Sequence, residues 1–249
     1  MNWKHKCSLD WLKERQSYLT ASDIKKLLPV TKTGRPRKVD ELDYVGVMAS
    51  KMVELTEEDC WSYGAMARGH LLEPYAVAAL NQSLFENNEP DLFRHWDDKL
   101  VSVPGREIAF SPDAMDVPMN DSDPAGNVTA IAEIKSYSPD RHLMCGYTPK
   151  DQLEERWQIA TAMALLDNID HAWLVFYNPK MIRRVIAIRY DRADLAEEIE
   201  IVLKVEKAWH DFKANGVLND DPADGFCTAH GWSEASIAAE LEQASRLNP

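Results

Sequence analysis

The stretch Val128-Thr129-Ala130-Ile131-Ala132-Glu133-Ile134-Lys135, preceded by Ser111-Pro112-Asp113, decides how this chain reads. An apolar, β-branched run closed by acid, apolar residue and lysine has the pattern of a strand. Strand side chains repeat every two positions, so Glu133 and Lys135 project from one face. Asp113, brought alongside by a neighbouring strand, completes a carboxylate pair. Two hard carboxylate oxygens, together with the backbone carbonyl of Ile134, suit magnesium or manganese, ions that keep waters in their remaining positions. Lys135 then stands beside the ion, where its ammonium orients a nucleophile and offsets charge in a transition state. An acid-x-lysine alone is common on solvated strands; the aspartate behind Ser-Pro and the apolar run make this one more specific, and the surrounding chain adds to it.

Outward from that unit, residues 8–28 fit two short helices, the second capped by Thr20 or Ser22. Residues 31–38, polar with Gly and Pro, read as a loop. Ala67, Leu71, Leu72, Tyr75, Ala78, Ala79 and Leu80 give 63–82 a helical pattern, and Pro74 predicts that a helix begins or kinks there. Residues 99–103 and 107–110 read as strands and 118–127 as an exposed turn. Helix signals resume over 149–166, and strands at 172–177 and 185–190 flank the turn Asn178-Pro179-Lys180-Met181. A long acidic amphipathic helix follows over 191–213. Past Gly216 the chain becomes irregular until Ser233 caps a final short helix. The expected organisation is therefore one domain over 1–215 and a C-terminal extension over 216–249.

A chain of 249 residues, 45% hydrophobic and 28% charged, is sized for one buried α/β core with at most a small appendage. No apolar run approaches a membrane span, and Lys4 and Lys6 have no apolar region behind them, so the expectation is an intracellular, cytoplasmic protein with no membrane partner. The formal charge of −13 excludes a surface that grips a polyanion all over, while leaving room for a local basic site. Lys25, Lys26, Lys32, Arg35, Arg37 and Lys38 form such a group, and acid concentrates in the C-terminal third. Cys7, Cys60, Cys145 and Cys227 lack paired spacing and read as reduced thiols. The histidines, among them His70, His142 and His171, look isolated, and Trp61, Trp157 and Trp173 are expected in the core or at an interface.

Six short motifs occur in one order. They are Trp11-Leu12-Lys13-Glu14-Arg15 with Leu19-Thr20-Ala21-Ser22; Gly69-His70-Leu71-Leu72-Glu73; Ser111-Pro112-Asp113; Glu133-Ile134-Lys135; Gln158; and Tyr177-Asn178-Pro179-Lys180-Met181. Together they resemble the lambda-exonuclease-like, or YqaJ, family of viral recombination nucleases, over a stretch from Trp11 to Met181. The family's Q-x-Q helix has Ala160 in place of its second glutamine here. The resemblance implies an α/β restriction-endonuclease-like core, a central mixed β-sheet flanked by helices. It assigns Asp113, Glu133 and the Ile134 carbonyl to one Mg2+ and Glu73 to a second, with Mn2+ able to substitute. Lys135 becomes the catalytic lysine and Gln158 positions the attacking water. Arg15 and Ser22 bind the 5′-terminal phosphate. A guanidinium fork and a hydroxyl are strong phosphate partners, and an adjoining helix start offers backbone amides.

The implied activity is 5′-to-3′ digestion of one strand at double-stranded DNA ends, leaving 3′ single-stranded tails. Implied too are a homotrimeric ring encircling DNA, a single-strand annealing partner, and a phage or prophage origin within a bacterial cytoplasm. Some nucleases of this fold hold an iron–sulfur cluster on four cysteines, but the scattered set here does not fit that pattern. Two rival readings are a structure-selective or restriction-type endonuclease of the same fold, and a catalytically silent DNA-end-binding protein. The intact Asp113, Glu133 and Lys135 set argues against silence.

Overall fold

Residues 4–28, 41–96, 99–117, 121 and 123–214 are described by the structure, a computed structural model. The basic segment at 31–38, Cys227, the tail from 216 and the helix expected after Ser233 lie outside these residues. By internal packing the chain divides into residues 1–206 and 207–249. No helix among the described residues is long and apolar enough to cross a membrane.

The N-terminal part begins with β1 (Lys4–Lys6) and α1 (Leu9–Gln16), where Ser8 accepts the Trp11 amide and so caps the helix. A short strand, β2 (Leu19–Thr20), then leads into α2 (Ala21–Leu27). Of the two caps the sequence offers, Thr20 is used: its side chain accepts the Asp23 amide while Asp23 returns the bond to the Thr20 N–H, a capping box that leaves Ser22 inside the first turn. Next come α3 (Glu41–Lys51), which the sequence reading did not assign, and β3 (Trp61–Tyr63), antiparallel to β1.

Gly64, at φ +62°, turns β3 directly into α4 (Gly64–Glu86). Of the two expectations for Pro74, the helix start is corrected, because the helix begins ten residues before it and runs through it. Pro74 forfeits only the bond to the His70 carbonyl, and the burial of the helix's apolar stripe outweighs that loss. Ala76, Val77, Leu80 and Leu84 form the stripe, and they pack on Ala114, Ala130, Ala132, Ile134, Trp173, Val175 and Tyr177 of the central sheet.

That sheet has the order β10-β9-β8-β7-β4, from β4 (Arg94–His95), β7 (Ala114–Met115), β8 (Ala130–Lys135), β9 (His171–Tyr177) and β10 (Val185–Asp191). β8 and β9 run parallel and every other pair is antiparallel, so the sheet is mixed. A second sheet, β2-β6-β5, adds β5 (Val101–Ser102) and β6 (Ile108–Phe110), with β2 parallel to β6. Ser111-Pro112-Asp113 is the link by which the chain leaves β6 and enters β7 of the other sheet. A proline cannot donate to a ladder, so the strand must break there, and Asp113 lands at the seam between the sheets.

The parallel β8–β9 pair requires a crossover. It contains α6 (Pro139–Tyr147), which the sequence reading missed, a 3-10 turn at Lys150–Gln152, and α7 (Arg156–Leu165). The helix expected over 149–166 is thus broken at 153–155, where Leu153 and Glu155 are drawn into the interior. The turn expected over 118–127 includes a four-residue helix, α5 (Pro124–Asn127). The acidic helix begins with a 3-10 turn at Arg192–Leu195 before α8 (Ala196–Ala214).

Arg106, before β6, ties this architecture to α8. Its guanidinium donates to both carboxylate oxygens of Glu206 at 2.6–3.1 Å and to the Ala164 carbonyl at 3.0 Å, and Glu206 also accepts the Glu107 amide at 2.8 Å. Glu206 is 9% exposed, so removing its partner strands a buried charge. Arg106→Met is expected to lower unfolding stability by about 3 kcal/mol in urea melts, with the site described below unchanged.

Candidate active site

Alternation along β8 sends Ala130, Ala132 and Ile134 toward α4 and leaves Glu133 and Lys135 on the opposite face. There the Lys135 ammonium donates to Glu133 Oε1. Asp113 reaches across from the start of β7, and its Oδ2 accepts the Ile134 amide at 2.6 Å. Glu73 arrives from α4. It lies in register with Ala76, Val77, Leu80 and Leu84, so it is the carboxylate at the N-terminal end of an otherwise apolar stripe. All three acids, with Ile134, Lys135, Gln158, Arg15 and Ser22, line one cavity of about 480 Å³. Every residue that the sequence reading singled out for the site is therefore on its wall.

The electrostatics of the cavity are dominated by acid. Burial pushes the Asp113 carboxyl well above the usual carboxylate range, and neighbouring Glu133 and Glu73 push it the same way. Burial alone would also raise Glu73, but hydrogen bonds from His70 and His95 overcome it and hold that carboxyl at about 2. Lys135 shows the reverse balance: burial would lower it, yet Glu133 and Asp113 hold it above the ordinary lysine range. In that state Lys135 supplies positive charge and a hydrogen-bond donor.

Among the described residues, no three His, Cys, Asp or Glu side chains stand together as a metal-ligand set. Each carboxylate is occupied by a protein donor instead: Glu133 by Lys135, Asp113 by the Ile134 amide, Glu73 by two histidines. The donor set is nevertheless hard oxygen: the carboxylates of Glu73, Asp113 and Glu133 border one cavity with Ile134. Burial disfavours the ionised form of Asp113, and Glu133 and Glu73 add to that; a divalent cation would favour it, so the residues fit the group.

Arg15 and Ser22 enter from separate helices. The Arg15 guanidinium lies over the Trp11 ring, 4.5 Å from its centroid, which restricts the side chain before any ligand arrives. Of the amides that the start of α2 was expected to offer, that of Asp23 is already taken by Thr20 Oγ1 at 3.4 Å. Gln158, in the first turn of α7, also borders a neighbouring groove with Lys25 and Tyr137. Glu155, just before it, is buried; it accepts the Tyr137 hydroxyl and lies 3.3 Å from Lys25 Nζ. Burial would raise its carboxyl, but Lys25 and Tyr137 bring it below its ordinary value, so it remains charged.

Several residues on the wall, and one that supports it from behind, were not anticipated: His5, His70 and Trp61 line the cavity, and His95 contacts Glu73 without lining it. His70 Nδ1 lies 3.2 Å from Glu73 Oε1, His95 Nε2 lies 3.4 Å from Oε2, and His5 stacks on His70 with centroids 4.6 Å apart. His70, read from sequence as isolated, is one helical turn before Glu73, and that i, i+3 spacing was the available signal. His5 and His95 come from distant strands and left none. Trp61, expected in core or interface, is 41% exposed on the cavity wall, whereas Trp157 and Trp173 are buried.

The sequence matches no protein-family model and no curated protein. Among solved structures the chain is similar to an alkaline exonuclease, LHK-Exo from Laribacter hongkongensis, at 18% identity and a TM-score of 0.52, covering 84% of this chain and 98% of that one. It is likewise similar to LHK-Exo in complex with dAMP, at 19% identity and a TM-score of 0.51, with the same coverage. At that identity the likeness establishes the fold, and the chain has the restriction-endonuclease-like α/β core, a mixed sheet flanked by helices.

Proposed function

We propose that this protein is a divalent-metal-dependent deoxyribonuclease that removes nucleotides from the 5′ end of one strand of linear duplex DNA, leaving a 3′ single-stranded tail. The observation that carries this reading is the convergence of two chemistries in one cavity: the acid–lysine set of Glu73, Asp113, Glu133 and Lys135, and the Arg15–Ser22 pair suited to a phosphate. LHK-Exo, of the same fold, is an alkaline exonuclease crystallised with dAMP, and that favours a deoxynucleoside monophosphate as the product.

Asp113, Glu133, Glu73 and the Ile134 carbonyl would hold two magnesium ions, for which manganese would substitute. Bound there, the metal supplies a water of lowered pKa and Lewis acidity toward the leaving 3′ oxygen. The chain's own groups do the rest. Lys135 brings a fixed positive charge to the scissile phosphate, where negative charge accumulates as the bond breaks. Gln158 orients the attacking water through its side-chain amide. Arg15 presents a planar fork to the terminal phosphate and Ser22 adds a hydroxyl, so the strand end is measured from its 5′ side.

The deciding experiment uses duplexes labelled separately at each 5′ and 3′ end, beside a covalently closed circle. Magnesium-dependent release of the 5′ label first, as mononucleotide, with the circle intact, is the expected result. Nicking or cutting of the circle would establish an endonuclease instead, and earlier release of the 3′ label would reverse the polarity.

A further inference from the structure

Arg15 stands in the last turn of α1 and Ser22 in the first turn of α2, so no helix geometry sets the distance between them. The intervening chain pairs with β6 through Leu19 and Thr20. A third element spans the gap. Lys51, the last residue of α3, directs its ammonium to Asp23 Oδ2 at 2.5 Å and to the Arg15 carbonyl at 3.3 Å. The same carboxylate oxygen accepts the Thr20 amide at 3.0 Å and the Thr20 hydroxyl at 2.6 Å, so the ammonium reaches into the capping box that starts α2. One residue further along α1, Gln16 Nε2 donates to the Val53 carbonyl at 2.8 Å, a second tie between the end of α1 and the segment after α3. The Lys51 side chain is 11% exposed and is not among the residues lining the cavity.

We infer that Lys51 is a positioning residue for end recognition: it fixes Arg15 and Ser22 as one phosphate pocket without touching DNA. The inference rests on the phosphate role proposed above for those two residues. Its physical basis is that a two-point grip on one phosphate requires both groups to be held in place, and a displacement of about 1 Å is enough to forfeit on the order of a hundredfold in rate. An ion pair serving stability alone would need only Asp23. The second acceptor, the backbone of Arg15 itself, is what couples the two helices.

The test compares initial rates on otherwise identical duplexes carrying a 5′-phosphate or a 5′-hydroxyl, at fixed salt and magnesium, for wild type, Lys51→Gln and the double variant Asp23→Asn/Lys51→Gln. The double variant leaves no unpaired buried charge, so it remains folded if the single variant does not; circular dichroism and melting verify this. Wild type should favour the phosphorylated end by ~10- to 100-fold. That ratio should fall at least about tenfold, or to unity, in the folded variants. Their rate on the 5′-hydroxyl duplex should stay within about twofold of wild type, because Lys51 is remote from the reacting atoms. A purely structural role would slow both substrates alike and keep the ratio, which would overturn the inference, as would an unchanged ratio in the folded double variant. A wild-type ratio of one would instead overturn the phosphate pocket on which the inference stands.

Discussion

Lys135→Ala is expected to cut magnesium-dependent DNA cleavage on the order of a thousandfold while leaving magnesium binding in place, whereas Asp113→Asn should lose both. The two residues sit in one cavity, but their electrostatic positions differ. Lys135 is held protonated by Glu133 and Asp113 against the effect of burial, so its removal deletes a positive charge and leaves the carboxylates free for a cation. Asp113 is the acid most in need of a counter-charge, because burial, Glu133 and Glu73 all disfavour its ionised form. Melting temperature with and without magnesium separates the roles: a rise is expected for wild type and for Lys135→Ala, and most of it should vanish in Asp113→Asn.

The pH dependence follows with a definite sign. A carboxyl raised in the folded state costs the metal-free protein stability as pH rises above the ordinary carboxylate range, and the cost is complete above its folded pKa. Protons compete with the cation for the same oxygens, so the magnesium-induced rise should grow with pH and shrink in acid. No rise at any pH in wild type would remove the cation from the site, and an undiminished rise in Asp113→Asn would remove Asp113 from its ligands.

The second large effect is expected at Arg15. A terminal 5′-phosphate carries more negative charge than a 5′-hydroxyl, and a bidentate guanidinium contact in a partly enclosed pocket is worth about 1.5–3 kcal/mol, or roughly ten- to a hundredfold in rate. Its cost of ordering is already reduced, because the guanidinium rests over the Trp11 ring. Arg15→Ala should therefore abolish the preference for phosphorylated ends while the magnesium-dependent melting shift stays intact. Arg15→Lys should restore the preference only in part, since an ammonium is a point charge and cannot reproduce the planar fork. Should Arg15→Ala discriminate as wild type does, the phosphate is held elsewhere, and Lys25 and Lys26 at the neighbouring groove become the residues to substitute.

What could be read in the sequence is what depends on short-range periodicity and local chemistry. The two-residue repeat of β8 already put Glu133 and Lys135 on one face, and Asp113 behind Ser-Pro was already the second carboxylate expected beside them. The order of the short motifs, read as a family resemblance, selected Glu73, Gln158, Arg15 and Ser22, which all line the same cavity. Glu73 could also have been found as a lone acid on the apolar stripe of α4.

Tertiary structure alone decided the rest, because the partners are far apart along the chain and no local rule couples them. Pro74 does not start a helix as one reading of the sequence expected, because packing of Ala76, Val77, Leu80 and Leu84 on the sheet carries α4 through it. His95 reaches Glu73 from a strand 22 residues away, and Lys51 reaches Asp23 from a helix 28 residues away. The charge state of Asp113 is likewise a property of assembly: in the sequence it is an ordinary aspartate, and burial, with the approach of Glu133 and Glu73, lifts its carboxyl. The order of the residues thus determined which groups this protein can bring to a phosphate, and the folding of three distant segments onto one seam between two sheets determined what those groups do to one another.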